Sequence, residues 1–217
     1  PPAVSDGRVV IGIDYYIYVL DMATGSVDWS FFTGEPVNVA PAIVNDTVYA
    51  GAESWVYALE ADTGERRWAV RVSPKTSPTI ADGTVYIGST QGLEAIDASN
   101  GEVQWRFDTD GWVEAPPLVV DQMVSFRDRG GNLYAISAST GTELWSVDTG
   151  GLSASGPAVS DGRLYYTSPD GSVHALESRF DATFSYGSES VRAGSAVTFN
   201  ASETTFRDGN SNSASYE

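Results

Sequence analysis

"ALEADTGERRW", residues 58 to 68, is the stretch on which the fold turns: a short apolar run, a Thr63-Gly64 turn and a second run that ends on tryptophan. The same phrase returns as "VLDMATGSVDW" (19 to 29), "AIDASNGEVQW" (95 to 105) and "AISASTGTELW" (135 to 145). Gly25, Gly64, Gly101 and Gly141 lie 39, 37 and 40 residues apart, and Trp29, Trp68, Trp105 and Trp145 keep the same three intervals. Self-similarity at such a period marks a repeat architecture, in which each unit buries its apolar faces on its neighbours. Pro2, Pro41, Pro78, Pro117 and Pro157 keep the beat as well, opening "PAV", "PAI", "PTI", "PLV" and "PAV". Five units are therefore present, the fifth without a closing tryptophan.

Inside each unit apolar and polar residues alternate with period two, as in "RVVIG" and "TVYIG", and Asp6-Gly7 and Asp82-Gly83 supply turn signals between the runs. No segment keeps helical spacing. Unit two is expected to form strands near 41 to 44, 47 to 51, 56 to 60 and 66 to 72. Four antiparallel strands repeated every ~40 residues describe a propeller blade. The expected fold class is all-β, a β-propeller of four-stranded antiparallel blades over residues 1 to 178. The short proline-led strands suit the crowded axis, which makes the tryptophan strand the outer one. Burying one indole removes about 150–250 Å² from water, worth about 4–6 kcal/mol, so the four tryptophans act as fasteners between blades. Each glycine of the motif is expected to supply the positive φ that turns the chain.

The chain of 217 residues is 41% hydrophobic and carries a formal charge of −17, with 29 acids against 12 bases. Lys75 is its only lysine. Phosphate backbones and anionic membrane surfaces require clustered cations, so nucleic acid is excluded as a partner and a membrane enters only through an anchor elsewhere. Dispersed acids with almost no lysine are the pattern of salt-loving organisms, where concentrated salt screens self-repulsion. With no cysteine, disulfides, thiolate metal sites and cysteine nucleophiles are ruled out.

The residues Ala58/Gly64/Trp68, Ala95/Gly101/Trp105 and Ala135/Gly141/Trp145, with Val19 ahead of Gly25/Trp29, resemble the docking motif of pyrroloquinoline-quinone (PQQ)-like repeats. The resemblance implies a tryptophan on each outer strand, stacked between neighbouring blades. Relatives of this kind usually close with seven or eight blades, so the five units are expected to form part of an incomplete ring. The family holds quinone-dependent dehydrogenases, which use a vicinal disulfide and a calcium-binding acid/amide set, and also outer-membrane assembly lipoproteins and cell-surface proteins that bind no quinone. A chain without cysteine resembles the second group, so no cofactor is expected, with calcium as the open alternative. Residues 179 to 217 change composition. Ala182, Phe184, Gly194, Val197, Phe199, Ala201 and Ser202 resemble the start of a polycystic-kidney-disease (PKD) module, an immunoglobulin-like sandwich. Alternatively "ATFSY" (182 to 186) completes blade five ahead of a polar tail. A PKD module implies export.

His174, the only histidine, stands where the other units have Tyr18, Tyr57, Glu94 and Tyr134, which makes it a structural or solvent-facing residue rather than a catalytic one. The acids Asp108, Asp110, Glu114 and Asp128 invite calcium or glycosidase readings, yet no spaced calcium-loop pattern accompanies them. Loops at 13 to 16, 52 to 55, 89 to 92, 128 to 131 and 168 to 171, with those at 33 to 40, 73 to 77, 109 to 116 and 149 to 156, share one face and vary, while the opposite face repeats its Asp-Gly and Thr-Gly turns. Recognition is therefore expected on the variable face, through Tyr15, Tyr16, Trp55, Trp112, Glu114, Arg127 and Arg129. The functional expectation is a non-catalytic binding or scaffolding module of an exported cell-surface protein, with a protein or surface polysaccharide as partner. Its rivals are a fragment of a quinone- or calcium-dependent dehydrogenase and the sensor portion of a larger receptor.

Overall fold

The computed structural model describes residues 1–151, 155–161 and 163–177. The PKD-like stretch, and with it the question of residues 182 to 186, lies outside the described residues.

Every described element is a β-strand. The first sheet holds β1 (Ala3–Ser5), β2 (Arg8–Ile13), β3 (Tyr16–Asp21) and β4 (Val27–Phe32). The second holds β5 (Ala42–Val44), β6 (Thr47–Gly51), β7 (Trp55–Glu60) and β8 (Arg66–Arg71). The third holds β9 (Thr79–Ala81), β10 (Thr84–Gly88), β11 (Gly92–Asp97) and β12 (Val103–Asp108). The fourth holds β13 (Leu118–Val120), β14 (Met123–Arg127), β15 (Asn132–Ser137) and β16 (Glu143–Asp148). The fifth has β17 (Ala158–Ser160), β18 (Arg163–Thr167) and β19 (Val173–Glu177). All pairings are antiparallel and follow chain order, so each sheet is a simple meander. The strands of unit two fall within one residue of their sequence expectation. First strands of neighbouring blades come together, β1 beside β5 and β9 beside β13, which sets the proline-led end of each sheet at the axis.

The core is divided into slabs between blades rather than gathered in one centre. Val10, Ile17 and Val19 of blade one meet Val48, Ala50 and Leu59 of blade two, all fully buried. The pattern repeats between the second and third, third and fourth, and fourth and fifth blades. Second strands are buried on both faces, as β6, β10 and β14 are along their whole length.

The repeated tryptophan seats on the next blade. Trp29 donates Nε1–H to the Ala61 carbonyl at 2.8 Å, Trp68 to Ala98 at 2.9 Å and Trp105 to Ala138 at 2.9 Å. The indole plane rests on the following blade's turn glycine. A Cβ built on Gly64 would lie 2.6 Å from Trp29 Cε3, on Gly101 2.8 Å from Trp68 Cδ2 and on Gly141 2.7 Å from Trp105 Cδ2. These glycines also have φ of 72°, 78° and 69°, so one residue type meets two demands. Across the sheet, Ala58, Ala95 and Ala135 pair directly with Trp68, Trp105 and Trp145, and Val19 pairs with Trp29, each beside a β-bulge. A small residue opposite the indole lets the ring lie over toward the neighbouring blade. Trp145 packs beside Val159 and Leu176 of blade five; the turn that would receive its indole lies outside the described residues.

Candidate functional site

Residues from three blades meet on the variable face around Trp112. It sits in the loop between the third and fourth blades and is 42% exposed. Lys75 Nζ, from the preceding inter-blade loop, lies 5.2 Å from the indole centroid, and the Arg129 guanidinium, from the β14–β15 turn, lies 5.5 Å from it. Backbone contacts fix this arrangement: Arg129 N–H donates to the Trp112 carbonyl at 2.7 Å, Val113 N–H to Ser89 at 3.1 Å, and Lys75 N–H to Gly88 at 2.8 Å. Gly111 lets the two loops touch, since a Cβ there would lie 2.7 Å from the Gly130 nitrogen. Glu114 Oε1 stands 3.6 Å from Arg129 Nη1, an exposed ion pair whose value is at most about 1 kcal/mol. Lys75 has no carboxylate partner among the described residues and holds its charge over the indole instead.

Other residues expected on this face divide. Tyr15 and Tyr16 are 48% and 38% exposed at the β2–β3 turn, with Tyr16 5.1 Å from the exposed Phe32 ring. They lie on blade one and form a patch of their own. Trp55 is no loop residue: it opens β7, pairs with Arg71 and packs half-buried against the slab between the first two blades.

Arg127 corrects the sequence expectation most sharply. It is the last residue of β14 and only 1% exposed, so it cannot meet a partner on the surface. Blades one to three have Gly12, Gly51 and Gly88 at this position, against which Val37, Val39 and Val113 of the adjoining loops pack closely. Blade four has a long side chain there instead, and it threads into the seam with blade five. Its Nη1 donates to the Thr167 carbonyl at 2.8 Å and its Nη2 to Thr149 Oγ1, while Nε finds no partner among the described residues. Burial lowers the pKa of this guanidinium.

Asp128, also 1% exposed, accepts from Asn132 N–H at 2.8 Å, Asn132 Nδ2 at 3.2 Å and Tyr134 Oη at 3.0 Å. Burial, and then the neighbouring Asp128 carboxylate, raise the Tyr134 pKa. These contacts brace the turn that presents Arg129. Among the described residues no group of three or more His, Cys, Asp or Glu side chains is placed to hold a metal ion. His174 stacks on Tyr166 at 4.9 Å and 13°, inside blade five.

Residues 52–179 match the family described as outer membrane protein assembly factor BamB. The chain belongs to this family. No relative was found among curated proteins. Among solved structures, BamB from Moraxella catarrhalis superposes with a TM-score of 0.72 and 22% identity over 81% of this chain and 57% of that one. The computationally designed Ika8 protein gives 0.71 and 18%, with the same coverage of 81% and 57%. Quinohemoprotein alcohol dehydrogenase from Comamonas testosteroni gives 0.59 and 17%, over 67% of this chain and 34% of that one. The chain thus spans less than two thirds of each of these proteins, and their likeness establishes the propeller fold. Among the described residues no helix is long and apolar enough to cross a membrane.

Proposed function

We propose that this BamB-type chain is a non-catalytic binding module of an exported protein of the cell envelope or surface, and that it takes a protein partner on the loop face centred on Trp112. The single observation that carries the reading is the half-exposed indole held between Lys75 and Arg129 by loops of three blades. Exposed tryptophan on a rigid frame is the residue type that dominates interface energetics, and cations on its flanks add directionality. On a chain of net charge −17 two cations at one spot are a local focus for a carboxylate of the partner. The family description, an assembly factor, supports a protein rather than a polysaccharide as partner. The acidic composition fits an environment of high salt.

A photoreactive residue placed at position 112 tests this in the native envelope. It is expected to cross-link a discrete protein, whereas the same group at Asp82 on the opposite face is not; equal yields from both faces would sink the proposal. The rival enzyme reading is met by titrating calcium and quinone against the melting temperature. A saturable shift with either ligand would revive it.

A further inference from the structure

We propose that Asn45 is an N-glycosylation site and that the first sugars attached to it lie along a cleft between blades two and three. Asn45 opens the tripeptide Asn45-Asp46-Thr47, the pattern that marks an acceptor for N-linked sugar on an exported chain. A second such tripeptide, Asn200-Ala201-Ser202, lies outside the described residues. The proposal rests on the export part of the function proposed above.

The asparagine is a departure from its column. It is the first residue of the turn between β5 and β6, exposed and with φ of 52°. Asp6, Asp82, Asp121 and Asp161 hold that place in the other blades, with φ between 45° and 51°. Aspartate and asparagine both accept the left-handed backbone, so the turn itself does not call for an amide. Thr47 supplies the hydroxyl two residues on, where blade three has Thr84 behind Asp82 and the other blades have Arg8, Met123 and Arg163. Amide and hydroxyl therefore coincide in blade two alone among these five turns. The turns lie on the face opposite Trp112, so a glycan here leaves the recognition loops clear.

The seam beside Asn45 has room for what would be attached. Between blades one and two, Arg8 reaches across to Asp62. Between blades two and three the equivalent residues are the short Thr47 and Ser99, and a cleft of about 500 Å³ opens there, with Asn45 on its rim. That volume is in the range of sites that hold small ligands. Asp82, Thr84, Asp97, Ser99 and Gln104 line it. Such a wall of carboxylates, hydroxyls and an amide suits sugar hydroxyls, each of which donates as well as accepts. In the folded chain Thr47 Oγ1 accepts from Arg67 Nη1 at 2.5 Å, so attachment precedes closure of this seam. In that step Asn45 Nδ2 forms a bond to C1 of an oligosaccharide carried on a lipid phosphate or pyrophosphate. The C1–O bond breaks, and the lipid phosphate leaves with its electron pair and takes up the proton that Nδ2 gives up.

The test uses protein isolated from its natural source after the cytoplasm has been separated from the envelope and the medium. Peptide mass spectrometry, which tells Asn45 from Asn200, is expected to find a sugar mass on Asn45 in the exported fraction. With the substitutions placed in the natural gene, that mass should be lost in Thr47→Ala and kept in Thr47→Ser. Asn45→Asp gives the turn the side chain that its four counterparts carry, so it folds and serves as the sugar-free reference. Against it, the backbone amides of residues 97 to 101 should exchange hydrogen severalfold more slowly in the glycosylated protein, because the seated sugar covers them. Bare Asn45 in exported protein would overturn the proposal and leave the export reading standing, whereas protein confined to the cytoplasm would overturn both. A sugar mass that survives Thr47→Ala would overturn the acceptor assignment, and equal exchange in the two proteins would overturn the seating in the cleft.

Discussion

Gly101→Ala probes the contact from which the repeat is built, because the added methyl meets two separate costs that a second substitution can divide. At φ of 78° an alanine carries a left-handed backbone, about 1 kcal/mol against it. Its Cβ would also stand 2.8 Å from Trp68 Cδ2, and overpacking a closed contact adds about 1–3 kcal/mol. Trp68→Ala alone is expected to cost about 3–5 kcal/mol, since the indole is 7% exposed and its hydrogen bond to the Ala98 carbonyl goes with it. In the double variant the ring is gone, so Gly101→Ala there should cost only the backbone share. The coupling energy of the cycle is then about 1–3 kcal/mol. Gly25→Ala is the matched control in the 217-residue chain: the same positive φ with empty space beside it predicts about 1 kcal/mol and no more. Urea unfolding followed by far-UV circular dichroism gives all four values without relying on the indole that is being removed. If Gly101→Ala costs the same with and without Trp68, the glycine serves the turn alone and the docking argument fails.

Three further outcomes follow from the same geometry. Arg127→Met, which keeps the volume and discards a buried charge whose Nε has no partner among the described residues, should fall within about 1 kcal/mol of the wild type or above it, whereas Arg127→Ala leaves a cavity and should cost about 2 kcal/mol or more; urea midpoints decide. Tyr49, Tyr57, Tyr86, Tyr134 and Tyr166 all have pKa values raised chiefly by burial, so the unfolded chain releases their protons first and stability, intact below pH ~10, should fall above it by up to about 1.4 kcal/mol per pH unit for each; an alkaline melt of unchanged stability to pH 12 would refute this. With a net charge of −17 the melting temperature should climb from 0.1 M to molar salt, as the screening length contracts from about 10 to about 3 Å, and a flat dependence would remove the self-repulsion argument.

What could be read from the chain, and what could not, follows from how each contact is encoded. The blades were legible because Trp29, Trp68, Trp105 and Trp145 recur with their glycines at fixed spacing, and a contact made identically between successive units leaves a periodic trace. The reason for that spacing was only half legible: the turn conformation of Gly64 is a local property, but its role as the floor beneath Trp29 belongs to a contact across 35 residues. The sequence points Arg127 to the recognition face because it adjoins the variable turn at 128 to 131 and arginine is a favoured interface anchor, yet the chain also carries a signal against this. Arg127 interrupts the column Gly12, Gly51 and Gly88, and a long side chain replacing glycine on an inner strand must go into the seam between blades. The same comparison sets Trp55 beside Tyr16, Gly92 and Asn132 as the residues that open β7, β3, β11 and β15, which makes it a strand residue whose burial is decided by the neighbouring blade. Lys75 is the reverse case. In the sequence it stands out only as the single lysine, and no period carries its meeting with Trp112, because the loops holding the two come from different blades and differ in length. Repetition therefore encodes the scaffold, and the binding face is written in the departures from it. Positions that break a column are where an identity specific to this chain is to be sought, and Lys75, Trp112 and Arg129 are three that the fold brings to one place.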